Sequence, residues 1–217
     1  MFSFLRAPLP PRTDNATNNP IIYEQGKSSV NFHAPDSQYV MTHTIPATDS
    51  ENFAGVSIIQ PPFHYHIYQK EYFQLQKGIA TIFLGTDPNP FATLTEDGQK
   101  TATVPAGRYH RFENASKTDD LVIDIHLTPE SYENEQRFFR NFFGYLDDCK
   151  TSKTEPSLFQ LLVFLHSADT PLALPLPWEG LGVVVSRMFL IVMAGWGTWI
   201  LGYKTNYPEY YETGKSK

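Results

Sequence analysis

The sequence has little cysteine, little positive charge and no apolar leader. Cys149 is its single cysteine, so no internal disulfide can form, and a reducing compartment is the simpler setting. In FFGYLDDCKTS this thiol stands beside Asp147 and Asp148, whose negative charge opposes thiolate formation and argues against a nucleophile. Lys and Arg number 17 against 23 Asp and Glu, a formal net charge of −6, with no basic stripe. A surface that displaces counterions from a phosphate backbone needs clustered cations, so nucleic acid is excluded as a partner. In MFSFLRAPLPPRTDNATNNP the apolar run is broken by Arg6 and by prolines, so no secretory leader is read there. The sequons at Asn15 and Asn114 are accordingly not expected to carry sugar. Internal repeats and a helix-turn-helix pattern are absent as well.

What the chain does have is enough apolar mass for a core: 41% hydrophobic and 14% aromatic residues over 217 positions. Residues 1–28, rich in Pro, Asn and Thr, read as an irregular arm. Over 29–128 short β-like runs alternate with turn signals. The expected strands are Tyr39–Ile45, Phe53–Gln60, Phe63–Tyr68, Tyr72–Gln76, Ala80–Leu84, Thr101–Val104, Tyr109–Glu113 and Leu121–Leu127. The breaks include Lys77-Gly78, Asp97-Gly98 and Pro105-Ala106-Gly107. Many short strands with regular breaks indicate a mainly β sandwich or barrel.

From residue 129 the period changes. Thr128-Pro129-Glu130-Ser131 is a helix-opening signal, and Phe138, Phe139, Phe142, Phe143 and Leu146 recur at helical spacing. A second helix is expected over Ser157–His166, so 129–169 form a helical extension. Residues 170–180 are a proline-rich linker, and 204–217 a short tail. Between them, residues 181–203 are long enough as a helix (about 34 Å) to cross a bilayer core of about 30 Å, with Arg187 their only charge. Trp196, Trp199 and Tyr203 suit an interfacial belt. Three settings are open for this helix: a transmembrane anchor, a helix packed on the barrel or in a homodimer, and an interfacial helix. The anchored case would hold the barrel on the cytosolic side of an intracellular membrane.

The chemistry-bearing stretch is PPFHYHIYQKEYFQLQKG, Pro61 to Gly78. On a strand His64 and His66 share a face. Glu71 is five residues beyond His66, an odd offset, so a turn or bulge through Ile67–Lys70 must reset the register before Glu71 joins them. In VPAGRYHRFEN the Pro-Ala-Gly turn delivers His110 to the start of another strand. Three imidazoles and a carboxylate suit one divalent transition metal ion (Fe, Mn, Ni, Cu or Zn) and disfavour Ca or Mg. Phe73 and Phe112 share parity with Glu71 and His110 and are expected to line the metal cavity as substrate pocket. Tyr109 and Arg108 flank its mouth.

The spacing H-x-H-x4-E-x6-G, at His64, His66, Glu71 and Gly78, resembles the first motif of the cupin superfamily. P-x-G-x2-H-x3-N, at Pro105, Gly107, His110 and Asn114, resembles the second. Gly55 stands ahead of the first with a longer spacer, and Gly98 ahead of the second with one extra residue. The resemblance covers roughly residues 38–128. It implies a double-stranded β-helix (jelly-roll) barrel holding a metal on His64, His66, Glu71 and His110. In general style the chain also resembles stand-alone cupins of fungal specialised metabolism.

Leu121–Leu127 alternates: Leu121, Ile123, Ile125 and Leu127 on one face, Val122, Asp124, His126 and Thr128 on the other. With the polar face turned into the barrel mouth, His126 with Asp124 beside it would be the catalytic acid/base pair. With it turned to solvent they would have no role in the chemistry. His43, in MTHTI, carries the same ambiguity. The expectation is a metal-dependent cupin enzyme with oxygenase-type chemistry on a small, largely apolar organic substrate, such as a polyketide or aromatic intermediate. The alternatives are a redox-neutral isomerase, decarboxylase or cyclase, and a non-catalytic small-molecule-binding module.

Overall fold

The computed structural model describes residues 6–48, 55–176 and 178–213. The chain divides into two compact units, Asn19–Tyr132 and a second made of the segment up to Asn18 with that from Glu133 onward.

The first unit is a jelly roll. One sheet has six antiparallel strands in the order β1-β2-β3-β9-β4-β7: β1 Ile21–Tyr23, β2 Ser28–Phe32, β3 Met41–Ile45, β4 Lys70–Lys77, β7 Thr101–Val104 and β9 Leu121–Thr128. The other has the order β6-β5-β8, with β5 Ala80–Leu84, β6 Ala92–Leu94 and β8 His110–Asn114. From β4 onward the chain passes back and forth between the sheets, the connectivity by which jelly rolls cover their edges. Each sheet buries one face: in β3 Met41, His43 and Ile45 are buried while Thr42 and Thr44 are not, and β8 repeats the pattern at His110, Phe112 and Asn114. Gly78 turns β4 into β5 at φ +87, where an added Cβ would lie 2.7 Å from the Asp120 carbonyl oxygen, so only glycine fits.

Several boundaries differ from the sequence reading. The sheet begins inside the stretch read as an irregular arm, because Ile21–Tyr23 pairs with Ser28–Val30. The turn between them runs through Glu24, Gln25 and Gly26, all at positive φ. Glu24 holds it by accepting from Ser28 Oγ at 2.6 Å, Ser57 Oγ at 2.5 Å and the Ile58 amide at 3.2 Å. Of the expected strand Phe53–Gln60, residues 53–54 lie outside the described residues and 55–60 form turns. The expected strand Phe63–Tyr68 is reduced to one bridge at His64. Pro61 and Pro62 lack amide donors, so no ladder can extend upstream of it.

Helix α1 spans Tyr132–Ser152, all but its first residue in the second unit, which also holds α2 Leu158–Ser167 and α3 Glu179–Gly195; α3 continues as a π-helical segment, Trp196–Leu201. Helix α1 carries the aromatic row foreseen from its spacing, with ring centroids 4.9 Å apart for Phe138–Phe139 and 5.6 Å for Phe139–Phe143. Asp148 on α1 binds both ends of the chain. It accepts from the Thr13 amide at 2.9 Å and hydroxyl at 2.6 Å, and from the Tyr210 hydroxyl at 2.5 Å.

Candidate metal centre

His64, His66, Glu71 and His110 each offer a donor atom, and these atoms all lie within 4.8 Å of one another. Local structure explains how they meet. An antiparallel bridge sets His64 beside His110: the His64 amide donates to the His110 carbonyl at 3.0 Å, and the His110 amide to the His64 carbonyl at 2.8 Å. The Gly107 amide, in the Pro-Ala-Gly turn, donates to the His66 carbonyl at 2.8 Å. A bend at Ile67–Tyr68 then resets the register, as the odd offset requires, and Glu71 enters β4 facing inward. There it lies between Val104 of β7 and Leu127 of β9.

The imidazoles are oriented for ligation. Nδ1 of His64 is 2.9 Å from the Pro62 carbonyl oxygen, and Nδ1 of His110 is 2.9 Å from that of Arg108. A carbonyl only accepts, so each Nδ1 carries the proton and Nε2 is left as a lone pair, the arrangement metal-binding histidines adopt. Yet Nε2 of His110 lies 2.7 Å from Oε2 of Glu71, and Nε2 of His66 is 3.6 Å from the same oxygen. An imidazole lone pair and a carboxylate repel at that distance unless a cation sits between them, so a proton or a metal ion must complete the group. Burial works against charge on Glu71, but the His110 and His66 imidazoles outweigh it and hold the carboxyl well below its usual range. Burial, reinforced by the neighbouring His110 and His66 imidazoles, pushes His64 well below the ordinary imidazole range. Three buried imidazoles gathered around one carboxylate fit a divalent transition metal ion.

Apolar side chains continue the wall inward. Phe73 follows Glu71 by two residues and Phe112 follows His110 by two; both are buried, with ring centroids 5.2 Å apart. His43 approaches from β3, its ring 6.4 Å from Phe112. Burial lowers its pKa to about 4, the Glu71 carboxylate pulling in the opposite direction. Only its alternation with Met41 and Ile45 marked His43 in the sequence.

Three expectations need correction. His126 and Asp124 do not face the cluster. In the β4–β9 register Glu71 lies opposite Leu127 and Phe73 opposite Ile125, whereas Tyr72 lies opposite His126 and Gln74 opposite Asp124. Directly paired residues share a face, so both candidate catalytic groups are on the outer side of the sheet. There Asp124 accepts from Thr42 Oγ1 and Gln76 Nε2, each at 2.5 Å, and His126 Nδ1 is 4.0 Å from the Glu130 carboxylate. Tyr109 is the third. Its ring packs on Tyr65 at 5.5 Å between centroids, and both tyrosines are offset by one from a ligand, so Tyr109 belongs with Tyr65 rather than with Phe73 and Phe112.

No family model matches the chain. Curated relatives do. The chain is 36% identical over 162 residues to the probable oxidoreductase virH of Hypocrea virens, covering 72% of this chain and 71% of that protein. It is 31% identical over 156 residues to the oxidoreductase iacF of Pestalotiopsis fici, covering 70% and 74%. It is 25% identical over 155 residues to the epoxidase atD of Aspergillus terreus, covering 69% of this chain and 46% of that one. Among solved structures, the Schizosaccharomyces pombe Cnp3 cupin domain aligns at TM-score 0.32 and 16% identity, covering 54% of this chain and 67% of that one.

Proposed function

Since the chain belongs to the family of fungal oxidoreductases that includes virH and iacF, we propose that it is a metal-dependent oxidoreductase built on a cupin barrel. In this reading His64, His66, Glu71 and His110 hold one divalent transition metal ion. The observation that carries it is the convergence of four buried donor atoms, one each from His64, His66, Glu71 and His110, within 4.8 Å of one another, with Nε2 of His110 only 2.7 Å from the Glu71 carboxylate. Bound there, the ion would supply Lewis acidity or oxygen activation.

The chain's own groups have distinct tasks. The Pro62 and Arg108 carbonyls fix two of the imidazoles, so the donor set is oriented before the ion arrives. Phe73, Phe112 and the inward row Ile123, Ile125 and Leu127 exclude water and present an apolar wall. That wall suits a small, largely apolar organic substrate, such as a polyketide or aromatic intermediate of specialised metabolism. The epoxidase among the relatives supports oxygenase-type chemistry over redox-neutral isomerisation, decarboxylation or cyclisation.

The test is elemental analysis of purified protein, followed by oxygen uptake with the metabolite that accumulates in a strain lacking the chain. About one transition metal ion per chain is expected, falling to near zero in His64→Ala and Glu71→Gln. Metal-free native protein with full turnover would overturn the reading. Turnover that proceeds unchanged without oxygen would reassign the centre to redox-neutral chemistry.

A further inference from the structure

We propose that the outer face of α3 and its π-helical continuation docks on a lipid bilayer, lying in the plane of the membrane surface rather than crossing it. This inference is independent of the metal centre.

The helix runs from Glu179 to Leu201 and has two unlike sides. Gly182, Ser186, Leu190, Ala194 and Gly197 are buried. Most of them are small, and at Gly197 helix α2 comes close: a Cβ there would lie 2.9 Å from Val163 Cγ2 and 3.2 Å from the Phe159 carbonyl oxygen. On the other side Leu181, Val184, Met188, Val192, Trp196 and Trp199 are exposed. At about 100° per residue these six fall within an arc of roughly 120°. Water is a poor medium for such a stripe, and a soluble surface helix would carry charge there. Here the only charged side chain between Leu181 and Tyr203 is Arg187, which falls about 60° outside the arc.

Two observations favour lipid over a protein partner. The stripe offers no charged or amide side chain to fix the register of a protein interface, whereas a bilayer asks for none. Of the chain's three tryptophans, Trp196 and Trp199 lie on this element and Trp178 immediately precedes it; they are 54%, 79% and 73% exposed. Indole is the side chain best matched to the headgroup boundary. With a net charge of −6, attachment must rest on apolar contact rather than on attraction to anionic lipid.

The same geometry disfavours a span. Past Gly202 the chain returns to its own unit: the Lys204 carbonyl accepts from Gln160 of α2 at 2.9 Å, and Tyr203, Tyr207 and Tyr210 are buried. Helix α2 has 10 residues, about 15 Å, against about 34 Å for the 23 residues from Glu179 to Leu201.

The experiment mixes the full chain with phosphatidylcholine vesicles and measures flotation together with tryptophan emission. Binding with a blue shift is expected, unchanged in 1 M NaCl. The triple variant Val184→Glu, Met188→Glu, Val192→Glu alters only exposed positions and should lose at least about tenfold in vesicle partition with an unchanged circular dichroism spectrum. Depth is read from a single indole, Met188→Trp, in a chain with Trp178, Trp196 and Trp199 changed to Phe. Quenching strongest with shallow-brominated lipid is expected, and strongest quenching from the deepest bromines would establish a span and overturn the in-plane placement. Native chain that ignores vesicles, or a dimer in solution that the triple variant dissolves while no vesicle binding is seen, would overturn lipid as the occupant.

Discussion

Lowering the pH from 7 to 5 should destabilise the barrel through His43, and the size of the effect follows from where that side chain sits. His43 is on the inner face of β3 between Met41 and Ile45, opposite Ile123 of β9, and is 2% exposed. Burial brings its pKa from 6.5 to about 4, partly offset by the Glu71 carboxylate. Between those values the folded protein keeps the imidazole neutral while the unfolded chain takes up a proton. The unfolded state therefore binds more protons, and stability is full above pH 6.5 and falls as the pH drops toward 4. The whole difference corresponds to about 3 kcal/mol, of which about 2 kcal/mol is lost between pH 7 and 5. His64 is shifted in the same direction, so the informative quantity is a difference between two proteins. His43→Leu, similar in volume, should remove the His43 share and leave that of His64. Urea unfolding followed by far-ultraviolet circular dichroism, with a chelator present, measures both. The reasoning is refuted if His43→Leu loses as much stability between pH 7 and 5 as the native chain does.

Three further perturbations separate structural from chemical roles. Gly78→Ala forces a side chain into φ +87 and against the Asp120 carbonyl at 2.7 Å, and should cost about 2–4 kcal/mol in denaturant unfolding. Asp148→Ala removes the acceptor of Thr13 and Tyr210 and should cost at least about 3 kcal/mol, against about 1.5 kcal/mol for Tyr210→Phe; equal losses from the two variants would show that the Thr13 bonds contribute nothing. His126→Ala alters a half-buried residue on the outer face of the sheet and should leave metal content unchanged and turnover within about twofold of the native chain; loss of metal would return His126 to the site.

The parts legible in the sequence are those in which a residue's neighbours decide its placement. Gly78 and the Pro105–Gly107 turn fix where strands end, and period 2 within β4 and β8 sets Phe73 with Glu71 and Phe112 with His110. Strands β1 and β2 were hidden because their pairing depends on β3, and Ile21–Tyr23 is flanked by residues that favour turns. The segment around His64 failed in the other direction: its aromatic and branched residues have strand propensity, but Pro61 and Pro62 withhold the donors a ladder would need.

The corrections at the site share one cause. Parity is a reliable guide when measured from a ligand on the same strand. Tyr109 is one residue from His110, so the alternation that admits Phe112 already excludes it. Strand β9 carries no ligand, and alternation alone could say that Asp124 and His126 share a face but not which cavity that face meets. Only the register with β4, Glu71 opposite Leu127, answers that, and register is set by pairing between segments some fifty residues apart. His43 shows the reverse: β3 is ligand-free too, yet pairing His43 with Ile123 places it on the inner side with Phe73 and Glu71. Polar character therefore did not decide which histidine entered the barrel. The apolar partners in the register did, since the face that carries Ile123, Ile125 and Leu127 has to be buried and takes whatever stands opposite them inside with it.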